Sequence, residues 1–264
     1  MDTVTSSKNP LLKSVRKAVL RGTLTDEGLC VAEGFHLLEE ALRSDCEITT
    51  VFAAPGVRSA VETHVRGLKQ IRVVALSDET FAALSATEAT QGVLALVRPP
   101  AWTLDQLFRG HSLVTVLDGV QDPGNAGTIL RSSEAFGGTG VVFLKGSVNP
   151  YNPKCLRASA GSVFRVPLVT GIEERLLLAS IDQRKLDMFA LLPSGVLDVS
   201  ECHFERKCVI IVGSEGHGVS ERLRAKAIDT RIPTVAVESL NAALAAGIAL
   251  YEARKRRMTG ESSV

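Results

Sequence analysis

Residues 113–137 read LVTVLDGVQDPGNAGTILRSSEAFG, and this stretch constrains the fold more than any other. LVTVL is a short apolar, β-branched run with the character of a buried parallel strand. DGVQDPGN is a turn, and AGTILRSSEAF keeps helical spacing until Gly137 and Gly138 stop it. A polar loop that leaves the carboxyl end of a strand and enters a helix is where open α/β sheets place their ligands. Asn125 and Arg131 are therefore candidates for a site. A helix cap for Asn125 and a solvated position for Arg131 are the competing readings. A phosphate-binding loop is excluded, because Asn125 stands where GxxxxGK[ST] requires its lysine.

Two later stretches repeat this strand-to-loop character. VIIVGSEGHGVS at 209–220 is an apolar strand opening into a glycine-rich turn that carries Glu215. IPTVAVESLN at 232–241 precedes the small-residue helix AALAAGIALYEARKRR. PGNAGxxxR, GSEGxG and IPxxxxxSLNxxxA, in that order and at these intervals, resemble the three motifs of the SpoU/TrmH family of RNA ribose methyltransferases, within the SPOUT superfamily. The likeness spans residues 113 to about 257.

A chain of 264 residues is long for a single core, and two domains are expected. Hydrophobic content of 45% with 22% charged residues is that of a globular protein and argues against extended disorder. With 30 Lys and Arg against 29 Asp and Glu, the net charge of +1 gives no global sign of a nucleic-acid partner. Local charge says more: Lys8, Lys13, Arg16, Lys17 and Arg21 near the amino end and Arg254 to Arg257 near the carboxyl end form basic clusters of a kind that can meet phosphates, although either one taken singly reads first as a solvated helix face. The cysteines at 30, 46, 155, 202 and 208 form no CxxC pair and no zinc pattern with histidine, so no metal is expected. Their odd number and scatter read as reduced thiols of a cytoplasmic protein. Neither a signal peptide nor a membrane span is expected.

NPLLKSVRKAVL, from Asn9, spaces its apolar residues as an amphipathic helix with Lys13, Arg16 and Lys17 outward. A βαβα alternation follows up to GVLALV and predicts a small, mainly parallel α/β domain over residues 1–98. VAEG at 31–34 and TQGVLALV at 90–97 resemble the substrate-binding domain that precedes the catalytic domain in many members of the same family, related to small ribosomal RNA-binding proteins. Pro99-Pro100 cannot continue a strand ladder, which puts a linker at 99–110, with Trp102 packed at the junction, and the methyltransferase domain at 111–264. Asn149, Asn152, Lys154 and Arg157 crowd one loop and the helix start after it. They suit RNA contacts as well as they suit Asn-Pro turns.

The resemblance implies an α/β domain with a trefoil knot in its last helix, a homodimer through that region, and S-adenosylmethionine held by three loops. Carried over motif by motif, those are Leu192, Pro193 and Ser194; Gly213, Ser214, Glu215 and Gly216; and Ile232 with Ser239, Leu240, Asn241 and Ala243. It further implies methyl transfer to a ribose 2′-hydroxyl. By the same resemblance Arg131 would act as base or activator, Asn125 would orient the arginine or the ribose, Glu215 would hold the arginine or the substrate, and Ser239 and Asn241 would shape the donor loop. Lowering a guanidinium pKa to near 7 costs roughly 8 kcal/mol, so Arg131 is read as an electrostatic stabiliser before a base. Ala243 departs from the small polar residue often found there. His217 is read as a loop histidine and not a general base. Ribosomal RNA leads as substrate. Transfer RNA, a resistance methyltransferase of the same family and a non-catalytic RNA-binding assembly factor are the alternatives.

Overall fold

The computed structural model describes residues 2–3, 9–68 and 70–261, so Lys8 lies outside the described residues. Contacts divide the chain into two units, Met1–Ala101 with Asn149–Arg165, and Trp102–Val148 with Val166–Val264.

The first unit contains β1 (Asp2–Thr3), β2 (Cys30–Glu33), β3 (Glu47–Ala53), β4 (Arg72–Ala75) and β5 (Val93–Arg98), in the sheet order β1-β4-β3-β5-β2. The sheet is mixed and not mainly parallel as the alternation predicts. β4 runs parallel to β1 and β3, whereas β5 lies antiparallel between β3 and β2. An apolar run such as VLALV buries equally well in either direction, so its direction leaves no local mark. The helices are α1 (Pro10–Arg21), α2 (Phe35–Arg43), α3 (Arg58–His64) and α4 (Asp78–Ala82). α1 is bounded at both ends. The Asn9 side chain accepts from the Leu11 N–H at 2.9 Å, Pro10 occupies the first turn, and Gly22 ends the helix at φ 62. Its Leu12, Val15 and Ala18 are buried, and Lys13, Arg16 and Lys17 are exposed, as the periodicity predicts.

The second unit carries β6 (Leu113–Asp118), β7 (Gly140–Leu144), β8 (Leu168–Ile172), β9 (Asp187–Leu191), β10 (Leu197–Asp198), β11 (Cys208–Gly213) and β12 (Ile228–Arg231). They form one parallel sheet in the order β10-β12-β9-β11-β6-β7-β8. Its helices are α5 (Leu104–Leu107) and α6 (Pro123–Ala135), then, after α7 (Pro153–Ser159) in the segment grouped with the first unit, α8 (Glu174–Arg184), α9 (Glu221–Arg224) and α10 (Ala242–Glu261). Strand alternation splits the core. Val114, Val116, Val209, Ile211, Leu177 and Ile181 pack on one face, and Leu113, Phe189, Ile210, Ala249, Leu250 and Ala253 on the other. Trp102 packs at the margin of the first of these clusters. No described helix is long and apolar enough to cross a membrane.

The basic tail is largely committed within the unit. Arg257 donates from Nε to the Phe204 carbonyl at 2.8 Å, from Nη1 to His111 at 2.7 Å, and from Nη2 to Ser112 and Arg206 at 2.8 Å each. Arg256 donates to the Ser200 carbonyl, whereas Arg254 is exposed without a partner among the described residues. One guanidinium thus fastens the end of α10 to the entries of β6 and β11. Charged hydrogen bonds contribute about 1.5–3 kcal/mol each and are not additive, so Arg257→Met is expected to lower unfolding free energy by about 3 kcal/mol in urea titrations. Arg254→Met should leave it within about 0.5 kcal/mol.

Segment 149–165 sits in the first unit through two buried carboxylates. Glu33 accepts from Ser85 Oγ at 2.5 Å, Thr87 Oγ1 at 2.7 Å and the Ala86 N–H at 3.0 Å, with Arg157 Nη1 at 3.8 Å. Glu40 pairs with Arg165 and accepts from Arg43 at 2.9 Å. Burial opposes the charged form of Glu40, but the guanidiniums of Arg165 and Arg43 outweigh it and hold this carboxyl below its ordinary 4.5. A carboxyl depressed in the folded state contributes stability above its unfolded pKa and loses it as pH falls through the folded one. Stability should therefore fall below about pH 4.5 in the wild type. Glu40→Gln should cost stability at pH 7 and flatten that acid limb, as read by denaturant midpoints across pH.

Candidate active site

All strands of the second unit run the same way, so the loops leaving β6, β9, β11 and β12 emerge at one edge of the sheet. The chain passes outward from β6 to β7 and β8, whereas β11, β9 and β12 lie on its other side. The edge beside β6 and β11 is thus a switch point where a crevice forms.

A cavity of about 410 Å³ lies at this edge of the sheet, at the ends of β9, β11 and β12 and the start of α10. Leu192 and Pro193, Gly213, Ser214 and Glu215, and Ile232, Ser239, Leu240 and Asn241 line it, drawing on all three loops expected from the sequence. Ser194 is exposed outside it, and Gly216 belongs to a neighbouring recess. Ala243 is 6% exposed, turned into the helix packing one position away from the lining Ala242. Leu191, Val212, Gly218, Thr230, Thr234, Glu238 and Ala245 line the cavity and escaped the sequence reading; the strand-end residues among them carry no motif of their own. Glu215 and Glu238 are its charged lining groups, and no Lys, Arg or His among the described residues lines it.

Tight backbone contacts fix the walls. Ser214 and Gly218 exchange backbone hydrogen bonds at 3.1 and 2.9 Å, closing the SEGHG turn, and Gly218 adopts φ 67. A Cβ on Gly213 would stand 2.1 Å from the Gly218 carbonyl carbon, which excludes every other residue there. Asp118, at the end of β6, accepts from the Ser220 N–H at 2.7 Å and ties this turn to the neighbouring strand, a role its place as the first residue of DGVQDPGN did not reveal.

The polar residues singled out in the sequence form a chain at the rim. Asn241 Oδ1 accepts from the N–H groups of Ala243 at 2.9 Å and Leu244 at 3.2 Å, capping α10, which begins at Ala242. Its Nδ2 then donates to Asn125 Oδ1 at 3.0 Å, and Asn125 Nδ2 donates to Glu215 Oε1 at 2.5 Å. The backbone donors at α10 dictate which way both amides point. Asn125 itself is held by its N–H, which donates to Asp122 Oδ1, the cap of α6, at 2.8 Å. Arg131 lies further along α6, exposed and without a hydrogen bond or ion pair among the described residues. It joins neither Asn125 nor Glu215, so Asn125 orients the carboxylate and not the arginine. Ser239 lines the cavity with its hydroxyl unpartnered among the described residues.

The remaining candidates lie in the first unit. Asn149 Oδ1 accepts from the Tyr151 N–H and Asn152 Oδ1 from the Lys154 N–H, each at 2.9 Å, so both make turns and the second caps α7. Arg157 is drawn to Glu33. Lys13, Arg16 and Lys154 are exposed, and Lys17 pairs with Asp26 at 2.6 Å. No group of three or more His, Cys, Asp or Glu residues among the described ones is arranged to hold a metal.

Residues 112–251 match the SpoU rRNA Methylase family and residues 9–95 the MRM3-like substrate binding domain. The chain is 31% identical over 261 residues to the 23S rRNA (guanosine(2553)-2′-O)-methyltransferase RlmP of Bacillus subtilis, covering 96% of this chain and 100% of that one. The SpoU methyltransferase AviRb from Streptomyces viridochromogenes superposes with a TM-score of 0.84 at 25% identity, covering 96% of this chain and 99% of that one. An AdoMet-bound rRNA methyltransferase from Sinorhizobium meliloti gives 0.81 at 27%, covering 96% and 97%. A cavity walled by glycine backbone and lined by carboxylates without a basic group fits the cationic S-adenosylmethionine. The chain belongs to the SpoU rRNA methylase family and is an S-adenosylmethionine-dependent RNA 2′-O-methyltransferase.

Proposed function

We propose that this enzyme methylates a ribose 2′-hydroxyl of ribosomal RNA, with the Asn241–Asn125–Glu215 chain as the centre of its site. The observation that carries this reading is that chain itself: three motif residues, distant in sequence, hydrogen-bonded in series at the rim of one cavity. The rRNA methylase family match and the 23S rRNA substrate named for the Bacillus subtilis relative favour ribosomal over transfer RNA.

S-adenosylmethionine supplies, when bound, an electrophilic methyl on a sulfonium cation. Main chain at Gly213 and Ser214, with apolar flanks from Leu192, Pro193, Ile232 and Leu240, would hold it, and Glu215 and Glu238 favour its positive charge. Asn125 occupies Glu215 Oε1, leaving Oε2 to accept the hydrogen bond of the incoming hydroxyl and align it. Arg131, without a partner among the described residues, stabilises the developing alkoxide or grips the adjacent phosphate.

The enzyme acts as a homodimer through α10. Leu244, Tyr251 and Met258, seven residues apart, are 53%, 53% and 51% exposed and make one apolar stripe, which a second copy would cover. The family likeness supports a trefoil knot around α10, and bacterial rRNA methyltransferase relatives support a cytoplasmic enzyme. Lys13 and Arg16 on α1, together with Lys154, contact RNA phosphates.

Labelled methyl transfer to ribosomal RNA from a strain lacking the gene, with mapping of the modified ribose, tests the function. Absence of any 2′-O-methyl product would reject it. In that assay Arg131→Ala should lower kcat by about 10²–10³ while S-adenosylmethionine affinity stays unchanged. The double variant Lys13→Ala, Arg16→Ala should weaken RNA binding and reduce the slope of log K against log salt by about 0.7–0.9 for each phosphate no longer neutralised.

A further inference from the structure

A second cavity, of about 480 Å³, opens on the other side of the 214–218 turn. Ser214, Glu215 and Gly218 line both cavities, so the turn is their common wall. Most polar groups around the second space are already satisfied. The Asp118 carboxylate takes the Ser220 N–H at 2.7 Å, and the Gly119 N–H goes to Ser147 Oγ at 3.0 Å. Two side chains are left over. Gln121 and His217 line this cavity, are exposed, and have no side-chain partner among the described residues. The His217 main chain is nevertheless fixed, its N–H donating to Ser214 Oγ at 3.1 Å. Neither residue lines the donor cavity.

We propose that this second cavity receives the base of the target nucleotide, turned out of the RNA stack, with the His217 ring against its face and the Gln121 amide on its edge. The proposal rests on the methyl-transfer reading above. In-line transfer requires the acceptor oxygen to approach the methyl from the side opposite sulfur. The acceptor nucleoside must therefore occupy a space that adjoins the donor cavity without overlapping it. Glu215, at the common wall, marks where the ribose comes. A ribose there carries its base into the adjoining space, whose size falls within the roughly 300–1,000 Å³ typical of small-molecule sites. An unstacked base is recognised by aromatic or histidine rings on its face and by hydrogen bonds on its edge, and an amide offers both donor and acceptor. His217 and Gln121 supply these two kinds of contact, and neither side chain has another partner among the described residues.

The test uses the full-length enzyme with Gln121→Ala and His217→Ala, each measured for S-adenosylmethionine affinity by calorimetry and for methyl transfer with the RNA concentration varied. The result expected is a fall of about tenfold in kcat/KM for RNA in each variant, the scale of removing one side chain that holds a base. S-adenosylmethionine affinity should stay at the wild-type value, which also reports that the 214–218 turn is intact. RNA kinetics equal to wild type in both variants would overturn the proposal, as would a loss of S-adenosylmethionine affinity large enough to account for the slower transfer. A wild-type enzyme that binds S-adenosylmethionine and methylates no ribosomal RNA would instead reject the substrate reading on which the proposal rests.

Discussion

The amide of Asn241 is the interaction on which the site depends. The first turn of α10 begins with N–H groups that have no partner inside the helix, and Asn241 Oδ1 satisfies two of them. An amide whose oxygen is committed in this way has only its NH₂ to offer the other side. That group meets Asn125 Oδ1, which leaves the Asn125 NH₂ for Glu215. Helix capping, a requirement of folding, thereby sets the orientation of a carboxylate 26 residues earlier in the chain, at the rim of the donor cavity. An aspartate could cap α10 equally well, but it has no N–H with which to continue the chain. The asparagine is needed for the second link and not for the first.

That arrangement requires α10 to be placed within a few tenths of an ångström, and packing supplies the placement. The small residues Ala246, Ala249 and Ala253 are fully buried, allowing the helix axis close to the sheet. Ser132 of α6 lies 3.6 Å from where a Cβ on Gly247 would stand, so the two helices meet with almost no side chain between them. At the far end Arg257 collects carbonyls from the entries of β6 and β11. The helix is thus held at its start by a cap that belongs to the site and at its end by a clamp remote from it.

The turns of the three loops were legible in the sequence because glycine, proline and asparagine mark them and apolar strand runs precede two of them, whereas their part in holding a donor came only from the family resemblance. Gly213 shows why such residues cannot be exchanged: the opposite backbone leaves no room for a Cβ. What was not legible depends on partners far away in the chain. Arg257 looks like one member of a basic tail, since nothing near it reveals carbonyls some fifty and a hundred and forty-five residues earlier. Asn149, Asn152 and Arg157 look like an RNA-facing set until Glu33 and the turn geometry absorb three of their polar groups. β5 reads as one more strand of a parallel series, because burial on both faces erases any sign of direction. Local chemistry was readable, and the pairings that depend on topology were not.

Charge placement separates the roles of the two ionic motif residues. Methyl transfer forms the bond from a developing alkoxide oxygen to the methyl carbon as the bond from that carbon to the sulfonium breaks and a neutral thioether leaves, so charge disappears along the reaction and a site poor in water favours it. A cation inside the donor cavity would repel the sulfonium, by about 4 kcal/mol at 4 Å for an effective dielectric constant near 20. The cavity follows that constraint, with Glu215 and Glu238 among its walls and every guanidinium outside it. Arg131, exposed on α6, is therefore placed where it can meet the polyanionic substrate without opposing the donor. Glu215 stands at the boundary, lining the proposed donor cavity on one side and the recess with Gln121 and His217 on the other. A carboxylate at that boundary attracts the donor and repels the RNA backbone. A ribose hydroxyl, which carries no charge and can donate a hydrogen bond, is the part of the nucleotide that such a boundary admits.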